Sequence, residues 1–368
     1  MKKRFIFFVL LAFLVVGVFP LSPLTPAANA QDGIEWQCPE DFSGQTLNIF
    51  NWSLYIGEET IPTFEKLCDV TVNYDVYDTA DVMLTRLREG NPGYDVVFMS
   101  DYMTQAMIEE GYLEPLDFSL LPNFENISEQ FTGLFFDPEN EYSVPYLWGT
   151  TALTYNINRV DDEVTSWADM FEYDGPVAWL DEPPDIIAIG LLMTGNPPNP
   201  ENEEQIEEAR DYLIEHGDNV RAIESINLIQ LMETGEVDMA IMYSGEAYQL
   251  IEACECDDFE YVIPVEGANI YIDSVSIPTG ARNTRLAHAF IDYLMDPYVA
   301  AEISNTVIYA SPNKKVEELG LIDPEIRENP AIYLEPEVIE RLFFIQNNPD
   351  LEIAILDAWD EIILSVGY

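Results

Sequence analysis

Positive charge is what this chain has least of: 15 Lys and Arg stand against 68 Asp and Glu, with 2 His, for a formal net charge of −53 over 368 residues. Such a surface repels nucleic acid and anionic membrane faces, so neither is expected as a partner. Histidine is too rare to build a catalytic or metal cluster. His216 immediately precedes Gly217 and reads as a cation at a helix C-terminus, and His288 lies inside a helix. The sequence also lacks GxSxG, HExxH, the phosphate-cradling loop, the dinucleotide glycine fingerprint and the EF-hand loop. These absences weigh against the common hydrolase, nucleotide-binding and calcium-binding classes, and no catalytic residue, metal or cofactor is expected. A carboxylate pair can hydrolyse glycosides, but among 68 acids a chance pair is inevitable. Beyond residue 20 no stretch is long and apolar enough to span a bilayer.

The N-terminus carries an export signal: Lys2-Lys3-Arg4 is a positive region, Phe5 to Phe19 an apolar core ended by Pro20, and Ala28-Asn29-Ala30 a small-residue cleavage site. The mature chain is expected to begin near Gln31 and to reside in the periplasmic space or at the cell surface; an uncleaved N-terminal anchor is the other reading. Lipoprotein processing is not expected, because Cys38 follows Glu35-Trp36-Gln37. Most of the acids read as a solvated coat, so any cation site has to be argued position by position.

Four cysteines in an exported chain imply disulfides, with three possible connectivities. Cys38 precedes the strand-like run Leu47-Asn48-Ile49-Phe50, and Cys68 precedes Val70 to Tyr74. If these strands are parallel neighbours their N-terminal ends meet, which favours Cys38 with Cys68 and leaves Cys254 with Cys256. Metal binding by Cys254-Glu255-Cys256 is weakly supported, since no further Cys or suitably spaced His accompanies it.

The mature length exceeds one core, so two domains are expected. Residues 46 to 111 alternate strand and helix signals: Leu47 to Trp52, a helix around Glu58 to Leu67, Val70 to Tyr77, a helix capped by Thr79 and ended by Gly90, Tyr94 to Met99, and a helix capped by Ser100 that stops at Gly111. This is the pattern of a parallel sheet with helices on its faces, in which ligands bind beyond the carboxyl ends of the strands. A second α/β set follows over roughly 151 to 268, with Ile206 to His216 helical and Val237 to Met242 a strand, and then a helix from Arg285 to Met295.

An aromatic beside a polar or acidic residue recurs just past apolar strands: Trp52-Ser53-Leu54-Tyr55, Ser100-Asp101-Tyr102, Tyr243-Ser244, Tyr271-Ile272-Asp273 and Tyr309. Aromatic faces attract cations and cover methylenes, while carboxylates accept charge-assisted bonds from ammonium groups. Together they describe a slot for an alkyl chain bearing positive charges. Within "ANIYIDSVSIP", alternation puts Asp273 on one face with Tyr271, Val275 and Ile277, where an unpaired carboxylate is costly and calls for a partner. Glu182 and Asp185 are three apart at a helix start marked by Pro183 and Pro184, which puts both on one face; complementarity to the helix dipole explains them equally well.

At these residues the sequence resembles the spermidine/putrescine-binding proteins of bacterial ABC importers. The matching pieces, in order along the chain, are "LNIFNWSLYI", "YDVVFMSDYMTQAMIEEGYLEPLD", "YSVPYLWGTTALTYN", "VTSWADMF", "GEVDMAIMYSGEAY", "YIDSVSIP" and "IYASPN". The resemblance implies a two-lobe α/β fold of the type II periplasmic binding class, closing on its ligand. The lobes are expected at 31–149 plus 272–317 and at 150–271 plus 318–368, after a leader over 1–30. It further implies ligand contacts from Trp52, Ser53, Tyr55, Ser100, Tyr102, Glu182, Asp185, Tyr243, Tyr271, Asp273, Tyr309 and Gln346. Two departures affect the choice of polyamine: Glu182 and Asp185 exchange the acid types of the family pattern, and Tyr243 and Tyr271 stand where tryptophan is common. On this reading the partner of Asp273 is a ligand ammonium, and the partners of the protein are a polyamine and the permease subunits of an importer, with the protein itself a monomer. The alternative is a sensor lobe that presents a bound amine to a signalling receptor.

Overall fold

Three strand-forming runs separated by helical stretches build the first half of the sheet. They are β1 (Thr46–Trp52), β2 (Thr71–Tyr77) and β3 (Val96–Met99), parallel and ordered β2-β1-β3, with helices Thr60–Cys68 and Ala80–Arg88 as crossovers and Asp101–Glu109 after β3. Strand alternation divides their side chains between two cores. Leu47, Ile49 and Phe98 pack with Phe64 and Phe290 on one face, while Phe50, Val97 and Met99 pack with Met83, Leu87 and Met103 on the other. The computed structural model describes residues 33–254, 258–329, 332–334 and 336–367.

The remaining strands are β4 (Ser143–Asn156), β5 (Val177–Leu180), β6 (Val220–Glu224), β7 (Met239–Tyr243), β8 (Phe259–Val262) and β9 (Asn269–Ser276). β4 is 14 residues long and buried throughout. It pairs antiparallel with β9 from Ser143 to Thr151, then with β7 and β8 as far as Asn156. Its register shifts between Pro145 and Leu147, where proline cannot donate to the ladder. The order β2-β1-β3-β9 is thus mirrored by β4-β7-β5-β6, and β4 and β9 join the two. Leu153, Trp179 and Ile241 anchor a separate core with Trp167, Leu213 and Ile362. The fold is two-lobed α/β, as the strand and helix signals predict.

The C-terminal helix Glu352–Val366 packs against helices Pro183–Met193 and Glu203–Glu215 of the second lobe. Ile322, Ile326 and Ile332 belong instead to the first core. Two local expectations are corrected. Thr79 and Ser100 occupy N-cap positions, but neither side chain makes the capping bond. The helix expected from Ile206 begins at Glu203, because the Asn202 side chain accepts the Gln205 N–H at 3.1 Å and caps it.

The N-terminal segment is held twice. Trp36 donates its backbone N–H to Asp296 at 3.1 Å and its indole N–H to Asp292 at 2.9 Å. Cys38 and Cys68 form a disulfide with Cα atoms 5.3 Å apart, and the β1–β2 register, which starts at Thr46 opposite Thr71, explains why these cysteines meet. Cys254 is also disulfide-bonded; the expected link to Cys256 lies outside the described residues. Replacing Cys38 and Cys68 together by serine is expected to lower stability by roughly 2–4 kcal/mol, because the crosslink constrains the unfolded chain. Urea unfolding of the oxidised proteins measures this, and an unchanged free energy contradicts it.

Candidate ligand-binding cleft

The carboxyl ends of β1, β3, β5 and β7 converge between the lobes on a cavity of about 190 Å³. Eleven of the twelve residues expected at a site line it: Trp52, Ser53, Tyr55, Ser100, Tyr102, Glu182, Asp185, Tyr243, Tyr271, Asp273 and Tyr309. Gln346 does not. It is exposed, lines a neighbouring cavity, and donates its backbone N–H to Asn199 at 2.8 Å.

Asp273 is 4% exposed, and its Oδ2 accepts the Tyr55 hydroxyl at 2.6 Å. Among the described residues no cationic side chain pairs with it. Burial raises it to about 7, partly offset by the Tyr55 hydroxyl; the nearby Trp52 indole N–H also lowers it, although that group makes no hydrogen bond of normal geometry. In the protein itself, therefore, the carboxylate is met by a phenol rather than by opposite charge.

Glu182 and Asp185 stand at the start of helix Pro183–Met193, which Pro183 and Pro184 open. The Asp185 carboxylate accepts the Asn269 amide at 3.0 Å and is raised to about 6 by burial. Glu182 occupies the N-cap position without making a capping bond, and burial followed by repulsion from Asp185 pushes it well above the usual carboxylate range. Dipole complementarity alone leaves that burial unexplained.

Several lining residues escape the sequence argument. Glu246 lies in the first turn of the helix that starts at Ser244; one of its oxygens is buried without a partner, and burial raises it to about 8. Its signal was its place three residues past Tyr243 at the end of β7, the same offset that separates Asp185 from Glu182. Asp101 also lines the cleft, but its oxygens accept the backbone N–H groups of Tyr102 at 2.7 Å and Ile272 at 3.3 Å, so it ties β9 to the helix after β3. Asn269 lies two residues before Tyr271 on β9, and no sequence pattern marks it.

The aromatic walls are built by close contacts. Tyr243 meets Tyr271 edge-on at 5.4 Å, Tyr55 meets Tyr309 at 5.1 Å, and Trp52 lies 4.3 Å from Tyr77, all between ring centroids. Gly149, opposite Tyr271 across β4 and β9, leaves room for that ring: a Cβ there would sit 2.6 Å from its hydroxyl oxygen and 2.9 Å from Ser244 Oγ. Leu54 adopts φ 55° and is 90% exposed at the mouth, so the chain bends sharply between Ser53 and the buried Tyr55. No three His, Cys, Asp or Glu among the described residues are placed to share a metal ion. Dispersed carboxylates with aromatic walls suit several positive charges carried along an apolar chain.

A cleft between two α/β lobes joined by long crossing strands, with its polar groups at strand ends, defines a binding protein for a small solute. The chain belongs to the bacterial extracellular solute-binding protein family, whose model matches residues 59–333. The putrescine-binding periplasmic protein SpuD of Pseudomonas aeruginosa is 33% identical over 86% of this chain and 92% of its own length. The putrescine-binding periplasmic protein PotF of Escherichia coli is 32% identical over 86% and 91%. Among solved structures, the spermidine/putrescine ABC transporter substrate-binding protein PotD of Streptococcus pneumoniae superposes with a TM-score of 0.76 at 30% identity, covering 88% of this chain and all of that one. The extracellular description of the family agrees with the export read from residues 1–30, which lie outside the described residues.

The raised carboxylates give stability a definite pH dependence. Unfolded carboxylates titrate near 4, so near neutrality the folded ligand-free protein holds a proton on Glu246 and part of one on Asp273, and below about pH 6 one on Asp185 as well, that the unfolded chain has released. Their contribution is complete below about pH 4 and is lost as pH rises through about 6 to 8. Denaturation midpoints at fixed ionic strength are expected to fall from about pH 4 to about pH 8, and Asp273→Asn to flatten the fall between about pH 4 and pH 7. Parallel curves for the two proteins would contradict the assignment.

Proposed function

We propose that the protein captures a linear polyamine between its lobes and delivers it to the permease of an ABC importer. The observation that carries the reading is Asp273: a carboxylate 4% exposed and walled by aromatic rings, with one neutral hydrogen-bond partner and no cation among the described residues. A buried charge left this way is expensive unless something brings the opposite charge. An ammonium does so, and the methylenes between ammonium groups fit against Tyr55, Tyr243, Tyr271 and Tyr309. Asp273 then holds a central or terminal ammonium, while Glu182, Asp185 and Glu246 take others. The relatives that share most of the chain's length carry putrescine or spermidine in their names, which supports the same ligand class here. We read the protein as a carrier without catalysis, because its relatives over most of the chain's length are named as binding proteins; the serine–carboxylate pair in the cleft lining, Ser53 donating to Asp78 at 2.5 Å, has no histidine beside it in that lining.

We place the lobes at 31–149 plus 272–317 and 150–271 plus 318–368, and the packing of Ile322, Ile326 and Ile332 in the first core favours moving the last boundary beyond Ile332. Contacts from both lobes predict closure on the ligand.

Asp273→Asn keeps the shape and removes the charge. Polyamine affinity is expected to fall by roughly 2–5 kcal/mol, about thirtyfold to several thousandfold in Kd. The ligand-free variant should melt no lower than the parent, since a desolvated carboxylate has been removed. Glu203→Gln, at an exposed helix start, should leave affinity nearly unchanged. Calorimetric titration with putrescine and spermidine decides, and parental affinity in Asp273→Asn would sink the assignment.

A further inference from the structure

Behind the cleft lies a second cavity between the lobes, of about 230 Å³, which shares Tyr102 and Glu182 with it as a common wall. Asp81 enters from the first lobe, Asp181 from the second, and Trp359 and Asp360 from the C-terminal helix. Among the described residues the only cation in its lining is Arg88, already engaged by Glu110 at 2.6 Å and Glu352 at 3.3 Å. No such partner reaches Asp81, Asp181 or Asp360. Burial pushes Asp181 above its ordinary range against the nearby Trp359 indole N–H, which lowers it, and the carboxylates of Asp81 and Glu224 add to the rise. Like charges from opposite lobes therefore confront each other where the lobes approach.

Glu182 supplies an independent sign of a ligand. It is 5% exposed, makes no capping bond to its own helix, and its carboxylate accepts no hydrogen bond from any described residue. Its oxygens are not among the fully buried unpaired atoms and so open onto the two cavities the residue lines, where a donor can stand. The acids are too dispersed to share a metal ion, while Trp359, Pro183 and Pro184 offer apolar wall between them.

We propose that this second cavity is a subsite for a terminal ammonium of an aliphatic triamine or tetraamine, whose remaining charges occupy the cleft and whose chain passes between Tyr102 and Glu182. The inference rests on the polyamine reading above and deepens it: the site is built for more than a diamine. Gln346, displaced from the cleft, then contacts the ligand from this side.

The test removes one end charge from the ligand and the matching acids from the protein. The full mature chain and its Asp81→Asn/Asp181→Asn variant are titrated with spermidine and with its N1- and N8-acetyl derivatives. In the parent, acetylation at the end that enters the second cavity should weaken binding by about tenfold or more. In the variant, spermidine should bind about as weakly as that acetylated form, and acetylation there should change affinity by less than about twofold. Equal acetylation penalties in parent and variant overturn the subsite. A parent that binds putrescine but not spermidine overturns the subsite alone, and a parent that binds neither removes the polyamine reading and the subsite with it. Asp81 is exposed, so the single variant Asp81→Asn, expected to show the same trend to a smaller degree, covers the case in which the double variant does not fold.

Discussion

The structure turns on carboxylates buried between two lobes that no positive charge among the described residues meets. With 15 cations against 68 acids, the chain has little with which to neutralise its own interior, and the few arginines it places in ion pairs lie toward the surface, as with Arg285 and Glu40. Asp273, Glu182 and Asp185 are left to phenols, amides and solvent-derived protons. Desolvation makes such groups either neutral or strongly attractive to a cation. Selectivity follows from the same condition, since a neutral solute leaves the carboxylates as they were and an anion is repelled.

The rest of the fold keeps that condition in place. β4 and β9 cross between the lobes as a buried antiparallel pair, so Tyr271 and Asp273 are fixed by a sheet rather than a loop. Gly149 lets the Tyr271 ring lie flush against the opposite strand, and Asp101 ties β9 to the helix after β3. The other residues that line the cleft hang from strand ends and helix starts, where the proposed closure of one lobe on the other would carry them as a group. The Cys38–Cys68 link and the Trp36 anchor stiffen the lobe that holds Trp52 and Tyr55.

Much of this was legible in the residues. The alternation of strand and helix signals from Leu47 to Glu109 gives the first half-sheet, and its parallel pairing brings Cys38 to Cys68. Aromatics next to polar residues at strand ends mark most of the cleft. What remained hidden depended on three-dimensional placement. Glu246 is one more acid in an acidic chain until the turn after Tyr243 aims it inward. Gln346 sits beside the cleft rather than in it, because its segment runs along Asn199. Ser100 starts a helix yet leaves its hydroxyl unpaired inside the cleft, which no capping rule foresees. The first-lobe packing of Ile322, Ile326 and Ile332 likewise depends on tertiary contact.

The central claim, that buried unpaired carboxylates await a cation, is tested most directly by counting protons. Spermidine titrated calorimetrically into the ligand-free mature protein at pH 6.5, in two buffers of different ionisation enthalpy, should bind 1:1 and release protons. Each ammonium that reaches Asp273 or its neighbours lowers a carboxylate pKa that burial had raised. Binding heats that differ between the buffers by the amount a net proton release requires would support the account. Binding with identical heats in both buffers would show that these acids are already ionised or are not met by the ligand, and would contradict it.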